Sequence, residues 1–74
     1  MKPTIKHGND IILTQHLESI EIRDDVGERY DASQHTSWIY AHYYVVLRMT
    51  SGKTYTFMFG TREERETFIM ENLT

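Results

Sequence analysis

The sequence predicts an α+β fold: a small antiparallel β-sheet of four to five strands, arranged as a meander, with one C-terminal α-helix at about 61–73 packed on one face. Three patterns carry that expectation. Thr61-Arg62-Glu63-Glu64 has the form of a helix capping box, followed by Phe68, Ile69 and Leu73 at helical spacing. Two runs rich in β-branched and aromatic residues, Trp38 to Thr50 and Lys53 to Gly60, flank Ser51-Gly52. Glu18 to Arg23 alternates cleanly between charged and aliphatic residues.

The helix is one-sided, with Glu66, Thr67 and Glu71 facing out and Glu63 and Glu64 where the helix dipole favours negative charge. About twelve residues of helix do not persist alone in water, so this one needs an apolar platform. The two aromatic-rich runs supply it as a hairpin, and loop length decides which side chains meet. A two-residue loop at 51–52 sets Tyr55, Phe57 and Phe59 beside Tyr44, Val46 and Arg48. A three-residue loop, Thr50-Ser51-Gly52 with Gly52 left-handed, sets them beside Tyr43, Val45 and Leu47 and gathers the apolar residues on one side. The second register is therefore expected. It leaves Tyr40, Tyr44, Val46, Arg48, Thr54, Thr56 and Met58 on the face away from the helix.

Upstream, Ile20 and Ile22 are expected inward and Glu21 and Arg23 outward on a half-buried strand. Ile11-Ile12-Leu13 forms a further apolar run, Leu17 plugs the following turn, and Thr4 to His7 adds a short edge strand with Pro3 at its start. The stretch 24–37 (DDVGERYDASQHTS) is polar and turn-prone and is expected to be a long loop within a single domain spanning 1–74.

Composition narrows the function. The chain has 74 residues and no cysteine, which removes disulfides, thiol catalysis, cysteine-bound zinc and iron–sulfur clusters. A domain this small usually gains from a staple, and self-association or another protein is the staple left available. The N-terminus carries no apolar signal segment and no run approaches the ~20 residues of a membrane span, so the expected address is cytoplasmic, with no membrane partner. The net charge of −3 gathers around residues 24–38, while 39–60 carries only Arg48 and Lys53. No basic stripe is present, which disfavours nonspecific nucleic-acid binding.

Catalytic and metal chemistry find no foothold. His7, His16, His35 and His42 are scattered without the short paired spacings of a structural zinc site. Asp24, Asp25, Glu28 and Asp31 around Gly27 lack the calcium-loop spacing and its closing glutamate. No serine stands in a nucleophile elbow and the glycines are too dispersed to cradle a phosphate. The expectation is a non-enzyme with no cofactor, no metal and no small-molecule substrate.

The aromatic cluster is the informative feature. Trp38, Tyr40 and Tyr44 project to the side opposite the helix if alternation holds, beside Arg48. Exposed aromatics next to a polar segment are typical anchors of protein interfaces. Partner binding is therefore assigned to Trp38, Tyr40, Tyr44 and Arg48 with Asp24, Asp25, Glu28 and Asp31, the partner being another protein or a second copy as a homodimer. Stacking of unpaired bases on the same rings is the alternative.

The pattern IILTQHLESIEI … YVVLRMTSGKTYTFMF-TREERETFI is similar to that of many short bacterial and phage proteins with a strand meander and a closing helix. Mildly acidic, cysteine-free chains of this length resemble phage-encoded inhibitors of host enzymes. That resemblance implies a small inhibitor or regulator whose carboxylates enter a basic cleft.

Overall fold

In a computed structural model describing all 74 residues, the elements run β1 (Thr4–His7), β2 (Asp10–Leu13), a 3-10 turn (Thr14–His16), β3 (Leu17–Asp31), β4 (Thr36–Met49), β5 (Thr54–Phe59) and α1 (Arg62–Asn72). The expected α+β class holds. The five strands divide into a two-stranded β1–β2 ribbon and a three-stranded antiparallel sheet in the order β3-β4-β5.

The β4–β5 register is the one that sorts the apolar residues: Tyr43 opposes Phe59, Val45 opposes Phe57 and Leu47 opposes Tyr55. Gly52 has φ 91°, a left-handed conformation that a side chain would resist. Its N–H donates to the Met49 carbonyl (2.9 Å), and Met49 N–H donates to Lys53 (2.9 Å), closing the loop on Thr50-Ser51-Gly52.

Helix α1 starts where the capping residue predicts. The Thr61 hydroxyl accepts from Glu64 N–H at 3.1 Å, and acidic Glu63 and Glu64 occupy the first turn. The helix lies over β4 and β5, with Phe68 against Phe57 and Phe59 at ring separations of 4.7 and 5.3 Å. The expected core of Val45, Leu47, Tyr55 and Leu73 is buried and Phe57, Phe59, Phe68 and Ile69 pack against it. Three residues join that were not anticipated, Ile5, Ile12 and Met49. The β1–β2 ribbon folds onto the core through Ile5 opposite Ile12, held by His7 Nε2 donating to the Thr56 carbonyl (2.9 Å) and by the His7 ring edge-on to Phe57.

Arg65 is a charged member of this interior, only 5% exposed. Its Nη1 donates to the Arg23 carbonyl (3.1 Å) and to the Asp24 carboxylate, and its guanidinium lies over the Tyr43 ring. Arg62 adds a second ion pair to Asp24 at 3.2 Å. The hydrogen bond from Arg65 is the largest influence holding the Asp24 carboxyl below its ordinary value, followed among the favourable ones by the charges of Arg65 and Arg62.

The stretch 24–37 departs from expectation. It is not a long loop: β3 continues to Asp31, a turn spans residues 32–35, and β4 begins at Thr36. Pairing is unbroken from Ser19↔Arg48 to Asp31↔Thr36. The physical reason is that β4 offers a continuous β-forming template on which even polar residues satisfy their backbone groups. The turn is fastened by Asp31, whose carboxylate accepts from Ser33 N–H (3.0 Å) and Ser33 Oγ (2.6 Å), and by His35 at φ 52°.

A second departure concerns Ile20 and Ile22. They lie on the helix side of the sheet, opposite Leu47 and Val45, yet stay 40% and 55% exposed because α1 covers β4 and β5 and leaves β3 bare. A register irregularity between Leu17 and Ser19 shifts the alternation so that Leu17 can face the core beside Met49.

Leu47→Ala should cost about 2–5 kcal/mol by leaving a cavity at a fully buried position, read as a lowered denaturant midpoint. Asp24→Asn should lower the melting temperature at neutral pH. Because the folded carboxyl titrates below its ordinary 3.8, the difference between the two proteins should persist down to that pH and close as pH falls further.

Candidate functional site

β5 pairs β4 only from Tyr43 to Arg48, so residues 25–31 and 36–42 have no partner but each other. They form a two-stranded arm seven residue pairs long, about 23 Å at ordinary strand rise. The molecule measures 50 × 24 × 21 Å, an elongation in keeping with such a projection.

Alternation assigns the faces of the arm. Away from the helix stand Trp38, Tyr40, His42 and Tyr44 from β4, opposed by Arg29, Gly27, Asp25 and Arg23 from β3. Tyr40, His42 and Tyr44 run as a ladder with ring centroids 6.3 and 6.4 Å apart. The Arg29 guanidinium lies over the Tyr40 ring at 5.2 Å, and the ring itself crosses the backbone at Gly27. A β-carbon at 27 would meet the end of the Tyr40 side chain, so the ring keeps this position only beside a glycine and would have to swing away from any other residue. Asp25, Arg29, Trp38, Tyr40 and His42 line a shallow groove of about 300 Å³. At its inner end, Glu21 bridges Arg23 (2.7 Å) and Arg48 (3.4 Å).

On the helix side the arm exposes Val26 (53%), Tyr30 (63%) and Ile39 (78%). Apolar surface is thus bare on both faces of the same ribbon.

The eight residues assigned from sequence fare differently. Trp38, Tyr40, Tyr44 and Arg48 share one face as expected, with Trp38 half exposed and Tyr40 and Tyr44 partly covered. The four acids do not form one patch. Asp25 and Asp31 lie on the aromatic face, whereas Asp24 and Glu28 lie on the helix side. Asp24 is engaged by Arg62 and Arg65, and Asp31 fastens the turn, where the Ser33 hydroxyl and N–H hold its carboxyl below the ordinary range. The split follows from replacing a loop by a strand, since alternation sends neighbours in sequence to opposite faces. His42, Arg29, Arg23 and Gly27 belong to the face and escaped the sequence reading. The shared parity of Ile20, Ile22, Val26 and Tyr30 was the signal that β3 runs on.

No group of three or more His, Asp or Glu side chains is arranged to hold a metal ion, and no helix is long and apolar enough to cross a membrane. Compared with known proteins, the chain matches no family model, no curated protein and no solved structure.

Gly27→Val should force the Tyr40 ring off the ribbon at a cost of about 1–3 kcal/mol. Amide exchange should accelerate at 36–42 while the amides of 43–48, which β5 also pairs, keep their protection.

Proposed function

We propose that this chain is a non-catalytic protein-binding module whose working part is the β3–β4 arm. One observation carries the reading: the arm exposes Trp38, Tyr30, Val26 and Ile39 on its two faces, and no other element of the chain covers them. A two-stranded ribbon is marginal in water, so side chains of this kind at its tip contribute to the fold only weakly. They suit a partner that clasps the ribbon and buries aromatic anchors between polar rims, the usual composition of interface centres. The groove between Arg29, Trp38 and His42 supplies directional contacts around those anchors. Regulation or inhibition of the bound protein is the role such a module fits. Entry of an acidic cluster into a basic cleft has lost its support, because the four acids are divided between faces and two are already engaged.

The ladder from Tyr40 to Tyr44, with Arg29 stacked on it, favours a second reading, single-stranded nucleic acid laid along the rings. The balance of Arg23, Arg29 and Arg48 against Glu21, Asp25 and Asp31 on the same face weighs against it.

Trp38 is the sole tryptophan, so its emission reports on the arm directly. Titration with unlabelled oligonucleotides at low and moderate salt is expected to leave the emission unchanged. A photo-crosslinking residue at 38 or 39, in cells that naturally contain the protein, is expected to capture one discrete protein, and the same residue at exposed Met70 none. Salt-sensitive quenching by oligonucleotides would replace the protein reading with the nucleic-acid one. Equal adducts from both positions, or none from the arm, would remove it.

A further inference from the structure

We infer that the outer edge of β3 pairs with the same edge of a second copy of this chain, antiparallel, about a two-fold axis at Ile22. This surface is the sheet edge near the core, not the arm tip, and the inference does not depend on the arm's role. β3 is the terminal strand of the sheet and has no neighbour on its outer side. From Ser19 to Asp31 it runs in continuous register without proline, lysine or mid-strand bulge, so its charged side chains are its edge protection and select which strand can pair with it. Its helix-side aliphatics Ile20 and Ile22 are exposed beside the core because α1 does not reach them.

The occupant follows from the charges along the edge. A two-fold axis perpendicular to the sheet keeps the helix side of both copies on one face and sets residue pairs that sum to twice the central residue. Centring on Glu21, Arg23, Asp24 or Asp25 places that charge opposite itself, and centring on Val26 opposes Arg23 to Arg29 and Asp24 to Glu28. Centring on Ile22 opposes Glu21 to the other copy's Arg23 twice, Ile20 to Asp24 twice, Ser19 to Asp25 twice and Ile22 to itself, with no like charges meeting. Centring on Gly27 also avoids like charges and opposes Asp25 to Arg29 and Arg23 to Asp31, but it leaves the aliphatics beside the core, Ile20 and Ile22, bare.

In the Ile22 register the regular overlap spans 19–25, ending at the irregularity between Leu17 and Ser19, and adds about six to eight backbone hydrogen bonds. Ile22 meets its counterpart across the axis, and Ile20 of each copy lies diagonal to it and beside the other copy's Asp24 on the core face. The two three-stranded sheets become one six-stranded sheet, and the arms point in opposite directions with residues 28–39 free. Such a dimer would present two arms to its targets.

The absence of cysteine makes the test direct. Ile22→Cys should crosslink to itself rapidly under mild oxidation, whereas Met70→Cys, at a still more exposed position, should not. Sedimentation across concentration should show a dimer that Glu21→Arg or Arg23→Glu weakens by about tenfold or more and that the double exchange restores. Circular dichroism on each variant confirms folding, and Trp38→Ala should leave dimerisation intact, which separates this result from the arm's. A monomer throughout the accessible concentration range would overturn the inference. So would a dimer indifferent to Glu21 and Arg23, or rescue that fails in a folded double variant.

Discussion

The architecture depends on a mismatch in strand length. β4 has 14 residues and β5 has six, and β5 ends at Phe59 because the chain turns at Gly60-Thr61 into a capped helix. One long strand is therefore flanked on both sides along half its length and on one side along the rest. Everything that needs three strands gathers at the first half: the core of Val45, Leu47 and Tyr55, the helix with its Phe68, and the β1–β2 ribbon. The remainder has only β3 beside it, so its side chains face outward on both sides.

The junction between the two halves is chemically distinctive. Tyr43 is the last β4 residue opposite β5, and the guanidiniums of Arg62 and Arg65 lie above its ring. Arg65 reaches past it to Asp24 and the Arg23 carbonyl, so the start of the helix is tied to the strand that leads into the arm. A buried guanidinium is costly unless its hydrogen bonds and charge are answered, and here Asp24 answers the charge. The tie anchors the root of the arm to the helix and the three-stranded part of the sheet.

The parts visible in the sequence were those in which one side of an element is covered. Tyr43 to Leu47 and Tyr55 to Phe59 announce their register because a one-residue slip would divide the apolar set, and Gly52 supplies the matching turn. Thr61 and Glu64 announce the helix start in the same local way. Asp24 to Tyr30 carry a weaker signal, the parity that Val26 and Tyr30 share with Ile20 and Ile22. With solvent on both faces little alternation is imposed, and DDVGERYD resembles a turn by composition while pairing as a strand. The aromatic half of the candidate site was legible because its residues share a parity on β4. The acidic half was misplaced because its grouping was assumed from proximity along the chain. Arg65 was hidden among ordinary surface charges, although it occupies the same helical stripe as Phe68, Ile69 and Leu73.

Tyr40 lying across Gly27 has a consequence for how the ribbon zips together. Pairing beside the core sets the alignment at the root of the ribbon, and along the solvated part a shift of two residues keeps every side chain on its own face. Such a shift brings Asp25 or Arg29 under the phenol, where a β-carbon has no room. The glycine thus acts as a notch that seats the ring at the observed alignment and favours it over shifted ones.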